Sequence, residues 1–469
     1  MLPLVEFPQI VQHYAPWFET VFSAEAFVQF QRYLSGLIVS ENKTIDGINR
    51  LFVIESRNQS SLNRLLTASP FSEAALNRQR LTLLGSQAET QVKKKGVLSV
   101  DDTVLAHYGR CFDEIAFLYD PTEKRYTWAH NLVNLHYSDD QTDYPLHFQL
   151  WKPADLDRIE QGLQAAGIRL RESKFALKEN DPKKWRQYLL GVWSRKQDKP
   201  EVAALYQSKL LIARHLLRRW VNENPQLKLP VTFDAWYTQP AFCRFLDQEL
   251  ELPYVGSLAK DDQVILKRGR LTLEEFAEQL KQEHLQAVAA GDKPVFHKIS
   301  VPYKGEKETY YSYCRTHRIH NLGKQRLVIS FTEPDLSDTP RFFNSNRLYW
   351  QSVGITRIRR HRWPVEVYHE EGKAEGLDKY QVRDFRAISR HIGLVAVAYS
   401  LLRAAPHDKA LLHKLQCQLE IDLEGSTPFW RRASQAQSLW ALACFISAGL
   451  TQGQSLRELM APLLAAVCY

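Results

Sequence analysis

The sequence predicts an α/β protein: a mixed sheet flanked by helices, preceded by a helical segment and interrupted by a β-rich one. Three observations carry this. Apolar residues recur at helical spacing up to about residue 90. After Lys93-Lys94-Lys95-Gly96 the period changes to strand alternation. Strand and helix patterns then follow one another, and two well-separated strands run into aspartates.

The first segment, 1–90, shows helical spacing through Phe18–Val39, Ile45–Phe52 and Leu62–Leu66, with polar stops at Ser60-Ser61, Ser69-Pro70 and Ser72. It reads either as a small DNA-binding module or as a packing domain. Val97–Val100 is an apolar strand ending at Asp101-Asp102-Thr103. Tyr126–Tyr137 and Tyr144–Trp151 alternate and are rich in β-formers, so the three strands suggest an antiparallel meander. Trp128 and His130 lie mid-strand and read as core or sheet-face residues. Pro153–Pro200 is charged and loop-like. Glu201–Asn224 reads as a long amphipathic helix, with Leu205, Leu210, Leu211, Leu216 and Leu217 inward and Arg214, Arg218 and Arg219 outward. Leu229–Phe233 is a strand running into Asp234, a helical stretch follows from Pro240 to Leu250, and Tyr254–Leu258 is another strand.

From Lys260 to Ser352 the chain turns β-rich around one helix, Leu273–Ala289, with strand patterns at Phe296–Val301, Thr309–Tyr313 and Leu327–Phe331. Two or more helices follow to the C-terminus. The expected divisions are 1–90, 91–259, 260–352, 353–405 and 406–469.

Composition narrows the class. The chain has 469 residues and a net charge of +8, which favours a polyanionic partner such as nucleic acid, though weakly. Eleven Trp and twenty Tyr supply rings able to stack on bases as well as fill cores. The six cysteines, Cys111, Cys243, Cys314, Cys417, Cys444 and Cys468, have no zinc-like spacing and read as reduced thiols. The opening MLPLVEFPQI lacks the pattern of a signal peptide, and the apolar runs Ile392–Leu402 and Ser438–Leu450 fall short of the ~20 residues of a membrane span. A cytoplasmic protein without membrane contact is the expectation.

The chemistry gathers around RIRRHRWPVEVYHEEGK, residues 357–373. A basic run is followed by Trp363-Pro364 and a helix, since proline is tolerated in a first turn. Arg362, Glu366, Glu370 and Lys373 then share one face. Alone, this is a solvated helix with i,i+4 salt bridges. An aspartate after a strand is, alone, a cap or turn former. Their combination says more. If the strands ending at Asp101/Asp102 and at Asp234 are neighbours, their carboxylates come within reach of one ion, and Glu366 supplies a third. Crowded carboxylates repel unless a divalent cation lies between them, and hard oxygen donors suit Mg²⁺ or Mn²⁺. His317 and His320, at i and i+3, hint only faintly at a metal pair. The clusters Lys93–Lys95, Arg214/Arg218/Arg219 and Lys267/Arg268/Arg270 are solvated faces unless they border the sheet edge, where they would contact a DNA backbone.

The motifs VDDT (100–103), FDAWY (233–237) and RWPVEVYHEEGK (362–373) resemble the three acidic motifs of bacterial insertion-sequence DDE transposases with a YREK signature, Y-x2-R-x3-E-x6-K. Arg362, Glu366 and Lys373 match the R, E and K at the right spacing, while Arg359 stands where the family has tyrosine. The resemblance covers roughly residues 90–405. It implies an RNase H-like catalytic core whose second Asp and Glu are separated by a β-rich insertion, as the long gap from 234 to 366 requires. It further implies a DDE transposase that cleaves and transfers strands with two Mg²⁺ (or Mn²⁺) ions held by Asp234, Glu366 and either Asp101 or Asp102. Arg359, Arg360, Arg362 and Lys373 become DNA contacts. The implied partners are double-stranded DNA, as terminal inverted repeats and target, and a second copy in a homodimeric synaptic complex at the bacterial nucleoid. The rivals are an RNase H-like nuclease without strand transfer and a domesticated, inactive DNA-binding protein; the presence of all three acids speaks against the last.

Overall fold

The computed structural model describes residues 3–54, 57–267, 269–420, 422 and 425–465. Arg268 and Cys468 lie outside them. The N-terminal segment is helical: α1 (Ala24–Val39) is capped by Ser23, two short helices follow (Ile45–Asn49 and Gln59–Thr67), and α2 (Glu73–Gly85) is capped by Ser72. In each, a side-chain oxygen takes up an otherwise orphaned N–H.

Four strands follow, β1 (Val97–His107), β2 (Ala116–Asp120), β3 (Arg125–Ser138) and β4 (Asp143–Trp151). Two sequence expectations are corrected here. β1 does not stop at the aspartates but continues to His107, because β3 pairs antiparallel with it along its whole length. β2 was not expected; it is short and its rings are exposed, so no amphipathic pattern marks it. The stretch expected to be a loop, Pro153–Pro200, is instead helical, with Leu156–Ala165 and Pro182–Arg195 as its main helices. They enclose a separate core of Ile159, Leu163, Trp185, Leu189, Trp193 and Val202. Its apolar residues fall at i, i+4 spacing, but dense charge between them masks the period.

The long amphipathic helix, α3 (Lys209–Glu223), starts at its cap Ser208 rather than at Glu201. Leu216 and Leu217 are buried, while Arg214 and Arg218 pair with Glu249 and Arg219 with Glu223. Then come β5 (Val231–Phe233), the expected helical stretch as Pro240–Arg244 continued by Phe245–Glu249, and β6 (Tyr254–Leu258).

The next segment contributes β7 (Gln263–Leu266), β8 (Gly269–Thr272), α4 (Leu273–Ala290), β9 (His297–Tyr303), β10 (Glu306–Ile319), β11 (Gly323–Phe331) and β12 (Arg341–Ser345). It has its own core around Phe276, Tyr313, Leu327 and Ile329. It nevertheless continues the same sheet, since β12 pairs antiparallel with β6. The order is β2-β3-β1-β5-β6-β12-β11-β10-β7-β8, with β4 on β3 and β9 on β10. The centre, β1-β5-β6, is parallel.

The basic run itself forms a helix, α5 (Ser352–Arg360), joined by a tight turn to α6 (Trp363–Ala374). α7 (Phe385–Ala404) is almost wholly buried, and α8 (Thr427–Thr451) packs beside it. The helices α1 and α2 pack on α7 and share one core with the central sheet. Arg390 of α7 donates to the carbonyls of Leu66 and Phe71, and buried Arg80 of α2 donates to Ser400 and to the carbonyl of Leu146. The N-terminal helices therefore have a packing role. Among the described residues no helix is long and apolar enough to cross a membrane.

Candidate active site

Register explains how distant acids meet. β1 and β5 run parallel with Leu98 beside Val231 and Val100 beside Phe233. The next residue on each strand is Asp101 and Asp234, so they emerge side by side at the carboxyl edge of the parallel centre, where open α/β sheets bind ligands. β5 ends there. The Asp234 carboxylate accepts the Tyr237 backbone N–H at 3.2 Å, and its carbonyl accepts the Thr238 hydroxyl at 3.1 Å, fixing the turn.

From the other side α6 brings Glu366. Arg362, in the turn before α6, donates Nη1 to Asp101 Oδ2 at 2.6 Å and Nη2 to Glu366 Oε1. One guanidinium thus bridges the β1 acid and the α6 acid. Burial, together with Asp234 and Asp102, pushes the Asp101 carboxyl up to about 7 despite the opposing pull of Arg362. Burial, with Asp102 adding to it, raises Asp234 as well.

Asp102, the next residue on β1, lines the same cleft but has partners of its own. Its carboxylate accepts the Tyr237 hydroxyl at 2.8 Å, Lys209 Nζ at 2.8 Å and Asn131 Nδ2 at 2.7 Å. Three side-chain donors satisfy it, where Asp101 has Arg362 and the backbone N–H of Asp102.

Asp101, Asp102, Asp234 and Glu366 line one cleft of about 560 Å³, along with Lys209, Trp236, His369 and Lys373. Of the cations expected near DNA, Arg362 and Lys373 are at this site. Arg359 and Arg360 do not line the cleft. Arg359 is half-buried, 5.7 Å from the Phe343 ring, and lines an adjoining hollow with Arg360 and Arg362; desolvation with neighbouring Arg362 holds its guanidinium down to about 9. Arg360 clamps Glu308 with two bonds of 2.7 and 2.6 Å and lies 4.7 Å over Tyr303, joining α5 to β9 and β10. The wide separation of residues 308 and 360 hides that partnership in the sequence.

Sequence reasoning did not single out two residues here. Lys209 follows the cap Ser208 and sits 5.3 Å over Trp236. His369, three residues after Glu366, is buried against Asn134 at 3.0 Å, and burial pushes it down to about 3. Its place on the Glu366 face of the helix was the available signal. Two other histidines named from sequence have structural partners: His130 bonds the Tyr380 hydroxyl at 2.7 Å, and His317 the Tyr313 hydroxyl at 2.8 Å.

The donor set suits a hard divalent cation. Asp101 and Asp234 are half-buried acids whose charges repel, and Asp101 is relieved by the Arg362 guanidinium and by the backbone N–H of Asp102, which donates to it at 2.9 Å. As they stand, no three acid, His or Cys side chains among the described residues form a group placed to hold an ion. The Arg362 guanidinium sits between Asp101 and Glu366 and pairs with both.

An α/β enzyme with half-buried acids at the carboxyl edge of its sheet is the class these features define. A family model described as DDE superfamily endonuclease matches residues 18–275, more than half of the 469. The chain belongs to this family, an enzyme acting on DNA with an RNase H-like core. The match takes in Asp101, Asp102 and Asp234 and ends before α5 and α6. No curated protein matches the chain.

Proposed function

We propose that the chain is an insertion-sequence transposase that cleaves DNA at terminal inverted repeats and joins the ends to a target. The observation that carries this is the meeting of Asp101 and Asp234 on adjacent parallel strands, with Arg362 tying Asp101 to Glu366. Asp101, Asp234 and Glu366 are the acids that would hold Mg²⁺, or Mn²⁺ in its place; Asp102, already satisfied, is a positioning residue that fixes Lys209 and Tyr237. Bound there, a pair of such ions supplies an activated water or 3′-hydroxyl and a stabilised leaving oxygen.

The chain's own residues do the rest. Arg362 leaves its two carboxylates for a DNA phosphate, which its planar fork suits. Lys209 and Lys373, at the cleft, hold the flanking backbone as point charges. Arg359 and Arg360, lining the adjoining hollow with Arg362, extend the positive surface offered to the DNA backbone. The divisions at residues 90, 259, 352 and 405 go with this reading: N-terminal helices, a core in two parts, the β-rich insertion and a C-terminal helical region. So do a homodimer bridging two DNA ends and a place at the bacterial nucleoid.

The test is a joining assay. Labelled duplex from the ends of the element encoding the chain is incubated with protein, Mg²⁺ and a target plasmid. Cleaved ends joined to the plasmid are expected. Cleavage without joining would make it an endonuclease lacking strand transfer, and no cleavage would overturn the reading.

A further inference from the structure

The β2–β3 hairpin carries four aromatic rings on one face. Register sets Phe117 opposite Trp128 and Tyr119 opposite Tyr126. The rings lie against one another: Phe117–Tyr126 stacked at 5.6 Å, Phe117–Trp128 at 5.5 Å and Tyr119–Tyr126 at 5.3 Å. Cross-strand aromatic pairs steady a hairpin, and that alone would explain two of them packed inward. These face water instead. Phe117 is 57% exposed, Tyr119 50% and Tyr126 62%. A contiguous exposed apolar patch of this kind marks a binding surface.

Two features say what binds. Tyr119 and the turn residues Asp120, Pro121 and Thr122 also line the cleft that holds Asp101 and Asp234, so the strip runs out of that cleft. Cations edge it: Arg110 lies 5.5 Å from the Trp128 ring, and Lys124 and Arg125 stand exposed at the hairpin turn, Arg125 beside Glu123 at 3.8 Å. Rings flanked by a few cations suit a chain of flat bases on a phosphate backbone. Duplex DNA hides its base faces in the stack, whereas an unpaired strand offers them.

We propose that Phe117, Tyr119, Tyr126 and Trp128 form a stacking platform for the unpaired bases of single-stranded DNA passing to or from the cleft. This rests on the proposed DNA-cleaving function and adds to it a second subsite with a different ligand form. Sequence preference is weak, because every base presents a π-face.

The test uses the full-length protein with a fluorescent 15-residue oligothymidylate and with a duplex of equal length, read by anisotropy. The double variant Phe117→Ala/Tyr126→Ala removes exposed rings and leaves the core intact; Phe117→Tyr/Tyr126→Phe keeps them. The alanine variant should bind the single strand about tenfold or more weaker, the conservative variant like the parent, and both should bind duplex unchanged. A 2-aminopurine in the oligonucleotide should be quenched by the parent and not by the alanine variant. Parental single-strand affinity in the alanine variant would overturn the proposal. So would a dimer turning to monomer with oligonucleotide binding unaltered, which would make the face an interface between copies. The two readings fail separately. Platform binding without any metal-dependent cleavage sinks only the catalytic one. Cleavage with single-strand binding indifferent to Phe117 and Tyr126 sinks only this one.

Discussion

Replacing Asp101 by asparagine removes a charge that the fold holds under strain, and the structure sets its size. The ordinary value for an aspartate is 3.8, and burial beside Asp234 and Asp102 lifts Asp101 to about 7. At about 1.4 kcal/mol per decade the gap amounts to roughly 4 kcal/mol, an upper figure for the ion-free protein. Below about pH 4 both folded and unfolded chains carry the proton, and no penalty exists. From pH 4 to 7 the unfolded chain releases it while the folded one keeps it, so stability falls as pH rises. Above pH 7 the full penalty stands. Asparagine carries no charge at any pH. Its advantage over the parent should therefore grow from near zero at pH 4 to a plateau above pH 7. The pull of Arg362 on Asp101 is already contained in the value of about 7, and Arg362 keeps Glu366 as a partner in the variant. Thermal melts in EDTA at pH 4.5, 6 and 8 read the trend, with a gain of a few degrees at pH 8. A difference between variant and parent that does not change with pH would refute the strained acid, and with it the reason for a cation here.

Other outcomes follow from the same geometry. Mg²⁺ added at pH 8 should raise the melting temperature of the parent and leave Asp101→Asn unmoved, since an ion binding only the folded site stabilises by mass action. Asp143→Ala should cost about 3–5 kcal/mol in denaturant titrations, because its buried carboxylate accepts Arg403 at 2.8 Å, Lys304 at 3.1 Å and Tyr399 at 3.2 Å. Arg403 and Lys304 hold that acid well below the usual carboxylate range, so its contribution is complete at neutral pH and fades only in strong acid. Tyr237→Phe should cost about 1 kcal/mol by taking one of three donors from Asp102, and cleavage should slow without being lost.

What the sequence reveals here is mostly what is local. β6 and α4 have the expected spans to within a residue, because each has a strong period and clear punctuation. The Arg362–Glu366 pairing follows from i,i+4 spacing alone. Nothing local shows that β1 runs on past Asp102, since that depends on β3 lying beside it. The same holds for the partners of Asp101 and Asp102: only the fold brings Arg362 to the one and Lys209 and Tyr237 to the other. The contact of Arg359 with the Phe343 ring and the capture of Arg360 by Glu308 are long-range facts that a basic run does not show. The N-terminal helices show an apolar face in the sequence, but not that α7 covers it.

The central claim is that Asp101, Asp234 and Glu366 together hold the catalytic cations. It is tested most directly by a metal switch at single ligands. Cleavage of duplex DNA is measured for Asp101→Cys, Asp102→Cys, Asp234→Cys and Glu366→Cys, each with Mg²⁺ and with Mn²⁺. A thiolate is a poor partner for hard Mg²⁺ and a better one for Mn²⁺. Variants at 101, 234 and 366 should be inactive with Mg²⁺ and recover with Mn²⁺, while the variant at 102 shows no such switch. Full Mg²⁺ activity in the variants at 101 or 234, or a switch at 102 in place of 101, would contradict it.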